Sequence, residues 1–367
     1  MPLVLLLLCL LVPLAHADEG VLASLDFESL PFGCVTLDPL ATLRWTTEPG
    51  AAFEGKGALQ LSCPPPGEAR KEGVPGSVLF SFVPSKDLRG VSVAVWAAHA
   101  TPLQFQLMER MDGPRYGCLV YCPAQEWQDI RLSLFDFSLD PEGPPSDRIT
   151  PDPAHVCLLS VVDLSGFLET MAQGNPMLYY EPGAEQTLRL DSVKLLSEAP
   201  PGRTGPNLVS YSLPLQNVLF IGGTRLAVLE STDDEGKPAL QLSYTVPART
   251  VFGVVHRIRK GDLAGCNALR LRLRSSGQAT FGVILEEERA PNQKSNYTTS
   301  LVLSGLEGWK TVQIPLSDFK LDEDTTDPDG RLNPECVGTI LLIDLSAVGG
   351  GNDLRNVLWL QTLEAVQ

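Results

Sequence analysis

Residues 54–62 read E-G-K-G-A-L-Q-L-S (Glu54 to Ser62), and residues 235–243 read E-G-K-P-A-L-Q-L-S (Glu235 to Ser243). Further on, W-Q-D-I-R-L-S-L-F-D-F-S-L-D from Trp127 is answered by W-K-T-V-Q-I-P-L-S-D-F-K-L-D from Trp309. The two matches lie 181 and 182 positions apart. A period of about 20–50 residues signals a solenoid or propeller, whereas one this long signals two copies of a whole domain. A catalytic apparatus is ordinarily single in a chain, so duplication favours binding or structure over catalysis.

Both copies are built from short runs that alternate apolar and polar residues. In Ala268 to Arg274 the side chains of Leu269, Leu271 and Leu273 point one way and those of Arg270, Arg272 and Arg274 the other. Ser77 to Val83, Val91 to Trp96, Gln104 to Met108, Phe281 to Leu285 and Ser300 to Leu303 repeat the pattern between turn clusters, as in an all-β sandwich or barrel. Helical periodicity is scarce, and Asp163 to Ala172 is the place for one short helix. The stretch Glu198 to Pro206, with three prolines and two glycines, reads as a linker between a domain at 18–197 and one at 207–367. Asp87-Leu-Arg-Gly90 matches Asp262-Leu-Ala-Gly265, and Phe105 then falls on Phe281. On that alignment the second copy carries six extra residues around Glu288 to Asn296. Cys157 to Ser165 pairs with Gly338 to Ser346.

Residues 1–17, MPLVLLLLCLLVPLAHA, form an apolar run ending in Ala15-His16-Ala17, a small-x-small cleavage pattern, although no Lys or Arg precedes the run. This predicts a secretory signal peptide and a secreted or periplasmic product. The run is short and closely followed by Asp18-Glu19, so no membrane insertion is expected after cleavage. The formal charge is -16, which repels phosphate backbones and anionic lipid and argues against nucleic-acid partners. Of the eight cysteines, Cys9 lies in the leader, leaving Cys34, Cys63, Cys118, Cys122, Cys157, Cys266 and Cys336. Export favours disulfides, but an odd count leaves a thiol unpaired, and the C-x3-C of Cys118 and Cys122 has no second half to complete a zinc site. The expectation is mainly buried thiols, with one or two bridges.

The order of these motifs resembles a known superfamily. Leu25-Asp-Phe-Glu28, E-G-K-x-A-L-Q-L-S, D-L-x-G before a strand, W-x-x-[IV]-x-[IL]-x-L-x-[DF]-F and a closing Leu190-Asp-Ser-Val-Lys-Leu195 are similar to the galactose-binding-domain-like jelly rolls. Within them the chain is most similar to family-eleven carbohydrate-binding modules and the complex I intermediate-associated protein domain, over all of copy one and all but the edges of copy two. The resemblance implies two tandem jelly-roll β-sandwich domains and a carbohydrate or other surface polymer as partner. It also implies a structural Ca2+ in the first domain, tying the first strand to the last through Glu28 and Asp191. The matching ends of copy two, Leu208 to Ser212 and Val357 to Gln361, hold no carboxylate, which confines that site to copy one.

No H-E-x-x-H, G-x-S-x-G, P-loop or G-x-G-x-x-G occurs, and His99, His155 and His256 are scattered, so each reads as a surface or satisfied residue. Sugars stack their C–H faces on aromatic rings. Trp127 and Trp309 share a repeat position and read as common core packing. Trp45, Trp96, Tyr116 and Tyr121 have no aromatic at the aligned place in copy two, which makes Trp96, Tyr116 and Tyr121 candidate platform residues. With a one-residue shift, Ala94, Trp96 and Ala98 align with Arg270, Arg272 and Arg274. That arginine ridge suits carboxylates or sulfates of an anionic polymer, or else it pairs with Glu286 and Glu288 on the next strand. Asn296-Tyr-Thr298 is a glycosylation sequon in a eukaryotic source. Together these features predict an exported, non-enzymatic binding protein. The alternatives are an assembly protein that contacts other proteins, or a glycoside-active enzyme with a pair of carboxylates.

Overall fold

The alternating runs form antiparallel strands in a computed structural model describing residues 20–29, 34–65, 76–140, 143–144, 146–179, 184–201, 206–290, 293–305 and 308–367. The expected signal peptide, 1–17, and positions 202–205 of the expected linker lie outside the described residues. In chain order the first half contains β1 (Val21–Leu25), β2 (Cys34–Thr36), β3 (Thr42–Thr46), β4 (Ala58–Cys63), β5 (Ser77–Ser81) and β6 (Gly90–Ala97). It continues with β7 (Thr101–Met108), β8 (Arg115–Cys122), β9 (Gln128–Ser133), β10 (Ser138–Leu139), β11 (Leu158–Asp163), helix α1 (Ser165–Gln173) and β12 (Gln186–Leu196). The second half contains β13 (Leu215–Gln216), β14 (Val218–Gly222), β15 (Thr224–Thr232), β16 (Pro238–Val246), β17 (Phe252–Arg257) and β18 (Ala268–Ser275). It ends with β19 (Ala279–Ala290), β20 (Gln293–Leu303), β21 (Lys310–Pro315), β22 (Lys320–Leu321), β23 (Val337–Asp344) and β24 (Leu354–Val366).

Four antiparallel sheets form two β-sandwiches. The first has a front sheet β3-β4-β12-β6-β9, with β1 also on β12, and a back sheet β10-β8-β7-β11-β5-β2. The second repeats the order, with a front sheet β15-β16-β24-β18-β21 and a back sheet β14-β17-β23-β19-β20-β22. Period-two alternation puts one set of side chains between the sheets. In the first core Leu59, Leu61, Val93 and Leu190 face Phe80, Phe105 and Leu159; in the second Leu240, Leu242, Leu271 and Leu360 face Val254, Phe281 and Ile340. Among the described residues no helix is long and apolar enough to cross a membrane.

Strand register aligns the copies more finely than the sequence does. Asp163 pairs with Leu103, and Asp344 pairs with Phe281, so the counterpart of Phe281 is Leu103 rather than Phe105. The same backbone bond then recurs, from Leu164 N–H to Pro102 O and from Leu345 N–H to Thr280 O. The extra residues divide accordingly, three before β18, three in the β19–β20 hairpin and one between β20 and β21. The shared D-L-S motif is a backbone cap: Asp163 accepts the N–H of Ser165 at 3.0 Å, and Asp344 that of Ser346 at 2.9 Å.

The sandwiches are joined through an edge. β13 pairs with β8 of the first back sheet, and after Asn217, which sits at φ 58°, the chain continues as β14 along β17 of the second back sheet. Tyr121 of β8 consequently joins the second core, edge-on to Phe220 with ring centroids 5.1 Å apart. The expected bridges are not formed among the described cysteines; the core of the first sandwich encloses Cys63, Cys118 and Cys122 instead. Burial pushes the Cys34 and Cys122 thiols up to about 12, far from a reactive thiolate.

Candidate functional site

The outer faces of the two front sheets carry the aromatic and cationic side chains that the cores exclude. On the first, strand register places Arg44 beside Gln60, Gln60 beside Arg189, and Arg189 beside Trp96, a row across β3, β4, β12 and β6. Turned with its oxygen toward Arg44, the Gln60 amide accepts from Nη2 at 2.9 Å and Nε at 3.2 Å. The Arg189 guanidinium stacks on the half-buried Trp96 ring, 4.6 Å from its centroid. Trp127, just before β9, lies 5.8 Å from the ring of Phe53, which is 39% exposed. A groove of about 320 Å³ adjoins Phe53 and is lined by Glu54, Ser92, Asp129, Arg131 and Lys194.

The second front sheet repeats this row with Leu229 in the place of Arg44 and two further members exchanged. Gln241, Trp359 and Arg274 are neighbours across β16, β24 and β18, and Leu59, Leu190 and Val95 correspond to Leu240, Leu360 and Leu273. Gln241 therefore matches Gln60, Trp359 takes the place of Arg189, and Arg274 takes that of Trp96. Arg274 lies 4.7 Å from the Trp359 centroid, and Trp359 Nε1 donates to Gln241 Oε1 at 3.0 Å. Arg272 lies 5.8 Å over Trp309 and ion-pairs with Asp233, Asp234 and Glu235 in the β15–β16 turn. Arg270 pairs with Glu364 at 3.2 Å. Two members of the ridge, Arg270 and Arg272, thus find acids on their own sheet and its turn, while Arg274 lies over a tryptophan. Glu286 and Glu288 belong to the back sheet and pair with Lys294 and Lys260.

Several expected site residues are elsewhere. Tyr116 is fully buried and does have an aromatic counterpart, Tyr297: β10 and β22 pair with them in the same way, and Ser146 and Asp327 hold their hydroxyls at 3.1 and 2.7 Å. A buried ring offers no face to a ligand, so Tyr116 is scaffold. Tyr121 is consumed by the junction between sandwiches. Trp127 and Trp309 belong to neither core and flank the front faces instead. Sequence reasoning missed Arg189, Trp359, Gln60, Gln241 and Phe53. The one local signal was the glutamine in both A-L-Q-L-S runs, a polar residue between two core leucines. His256 is buried, with its hydrogen bonds made to Tyr211 and Ile340. The sequon asparagine, Asn296, is half-buried within β20.

Glu28 and Asp191 do converge, on the E-G-K loop between them. Glu28 Oε1 accepts the N–H groups of Lys56 at 2.7 Å and Gly57 at 3.3 Å. Asp191 Oδ2 accepts those of Phe53 and Glu54 at 2.9 and 3.0 Å, and its Oδ1 accepts that of Ser192 at 2.7 Å. The Phe27 carbonyl is taken by Trp45 Nε1 at 2.8 Å. The Lys56 and Gly57 N–H groups hold Glu28 below the usual carboxylate range, whereas burial holds Asp191 above it. Oxygens already facing N–H dipoles do not make the six-to-eight-oxygen cage that calcium needs, and no group of three or more His, Cys, Asp or Glu suited to a metal occurs among the described residues. These residues do not fit a Ca2+ ion; they cap a loop. Chelator is accordingly expected to leave the melting temperature of the first sandwich unchanged, and a rise of several degrees on adding millimolar calcium would restore the metal reading.

No protein-family model matches the chain. No curated protein matches it either. Among solved structures it is similar to the family 11 carbohydrate-binding module of Clostridium thermocellum in complex with a β-1,3-1,4-mixed-linked tetrasaccharide, at 17% identity and a TM-score of 0.33, over 41% of this chain and 86% of that one. The family 11 module of a cellulosomal cellulase of Clostridium thermocellum gives 16% and 0.35 over 45% and 96%. A family 30 module of another cellulosomal cellulase of that organism gives 14% and 0.30 over 44% and 93%.

Proposed function

We propose that this chain is an exported, non-catalytic protein that binds an acidic carbohydrate polymer on its two front sheet faces. The observation that carries this reading is the recurrence, on the same face of both sandwiches, of a tryptophan ring covered by a guanidinium in one cross-strand row with a glutamine, and of a second tryptophan just ahead of the neighbouring edge strand. Ring faces take the C–H surfaces of sugars, amides take hydroxyls, and guanidinium groups take carboxylate or sulfate in a bidentate fork. Cationic rows on a chain of net charge -16 are local exceptions, which suits selection of an acidic ligand by a short contact. The Arg/Trp exchange between copies leaves each face its own spacing of ring and charge. Two faces on one polymer add avidity without any new contact.

Affinity electrophoresis through gels containing a uronate or sulfated polysaccharide, with a neutral β-glucan alongside, tests the reading. The acidic gel is expected to retard the wild type, less so as salt rises. Trp96→Ala and Trp359→Ala should each weaken retention by about tenfold, roughly 1.4 kcal/mol. A Trp96→Ala/Trp359→Ala double variant that is retained like the wild type would sink the proposal.

A further inference from the structure

In the first sandwich the free edge of β8 is already occupied by the chain itself. Leu215 lies opposite Tyr121 and Gln216 opposite Val120. Asn217 then locks the segment: its N–H donates to Leu119 O at 2.6 Å, its Oδ1 accepts the Leu119 N–H at 3.3 Å, and its Nδ2 donates to Asp136 O at 3.3 Å. Two residues on, Leu219 packs over Leu119, Val162 and Leu164.

Register identifies the counterparts in the second sandwich: β20 for β8, Ser300 for Leu119, Val302 for Tyr121, Ile343 for Val162 and Leu345 for Leu164. The 3-10 turns ahead of β10 and β22 place Asp318 where Asp136 stands. Among the described residues nothing pairs with Ser300 to Val302 on the outer side, since β22 reaches only Tyr297 and Thr298. Val302 is 56% and Leu345 36% exposed, against 6% for Tyr121 and 9% for Leu164. A groove of about 580 Å³, walled by Ser300, Asp318, Ile343 and Leu345, lies where Asn217 and Leu219 sit in the first sandwich.

We propose that this edge receives an extended polypeptide segment of a separate partner protein, added as a strand to β20. The occupied counterpart gives its chemistry: an apolar residue opposite Val302, an asparagine bridging the Ser300 backbone and the Asp318 carbonyl, and an apolar residue two places further on over Ile343 and Leu345. Another molecule of this chain is a poor source, because its own Leu215–Leu219 segment is spent on its own first sandwich. Ladder bonds supply affinity, and the Ile343–Leu345 floor supplies side-chain selection.

A labelled peptide with the sequence of residues 212–221, flanked by lysines, is titrated into the full chain. Saturable one-to-one binding is expected. Ser300→Pro removes one outward N–H at a sheet edge, where proline is tolerated, and Val302→Asp removes the exposed apolar contact. Each should weaken binding at least about tenfold while the thermal melt and polysaccharide retention stay unchanged. The asparagine-to-alanine peptide should bind correspondingly less, with no change to the protein. Absence of saturable binding, or binding that neither protein variant nor the altered peptide affects, overturns the proposal. Self-association of the full chain that Ser300→Pro abolishes overturns the assignment to a separate partner.

Discussion

Acidification from about pH 7.5 to about pH 4.5 is expected to remove roughly 2–3 kcal/mol of stability from the second sandwich through His256 alone. His256 is buried in the second core; Nε2 faces the Tyr211 hydroxyl at 2.9 Å and Nδ1 the Ile340 carbonyl at 3.2 Å. Since a carbonyl only accepts, the proton sits on Nδ1 and Nε2 accepts from tyrosine. Burial lowers the histidine to about 4. An unfolded histidine titrates near about 6.5, so between these values the unfolded chain binds a proton that the folded chain refuses. The contribution is complete above the unfolded value and is lost as the pH falls from there through the folded value. The second sandwich should melt roughly 5–10 °C lower at the acidic pH on this account. The first sandwich supplies the control, since register matches His256 with Phe80. A His256→Phe/Tyr211→Phe double variant, which removes both polar partners, should lose most of this pH dependence. Wild-type and double-variant melts that fall equally with pH would refute it.

Gly57→Ala should cost the first sandwich about 3 kcal/mol, a fall of roughly 10 °C in its melting temperature. A Cβ at position 57 would stand 2.0 Å from the Phe27 carbonyl oxygen and 2.8 Å from Trp45 Nε1. Those two atoms are hydrogen-bonded to each other, and the Gly57 N–H is itself held by Glu28. The obstruction is backbone, so it cannot swing aside. In the other repeat the same place is Pro238, which is exposed, and Pro238→Ala should change stability by no more than about 0.5 kcal/mol. Differential scanning calorimetry of the two variants checks both figures, and equal effects would show that the two loops are not held differently.

Much of the fold was legible. Alternation in Leu269 to Arg274 and in the A-L-Q-L-S runs gives strands and their inward faces, because a side chain's side in a strand depends only on parity. The duplicated D-L-S and E-G-K motifs turned out to be turns and caps, local hydrogen-bond devices that need the same residue types wherever they recur. The site was less legible. On sequence alone Tyr116 has no partner because the insertions before β18 and in the β19–β20 hairpin together hide Tyr297, and the first of them alone sets Phe105 against Phe281. The Arg189–Trp96 and Arg274–Trp359 stacks join residues that neither parity nor repeat position relates, because the two members change strands between copies.

By itself the sequence determined that the chain is duplicated, that it is all β, and which side chains lie in its cores. These follow from nearest-neighbour patterns and from the need to bury alternate apolar residues. Which strands adjoin, and in what register, was decided only by the tertiary structure, because pairings such as β12 with β6 or β13 with β8 join segments far apart in the chain. The E-G-K-x-A-L-Q-L-S repeat shows the division plainly. Its leucines were readable as core from their spacing, whereas its glutamine became part of an outer-face row only when β12 and β24 brought an arginine or a tryptophan alongside.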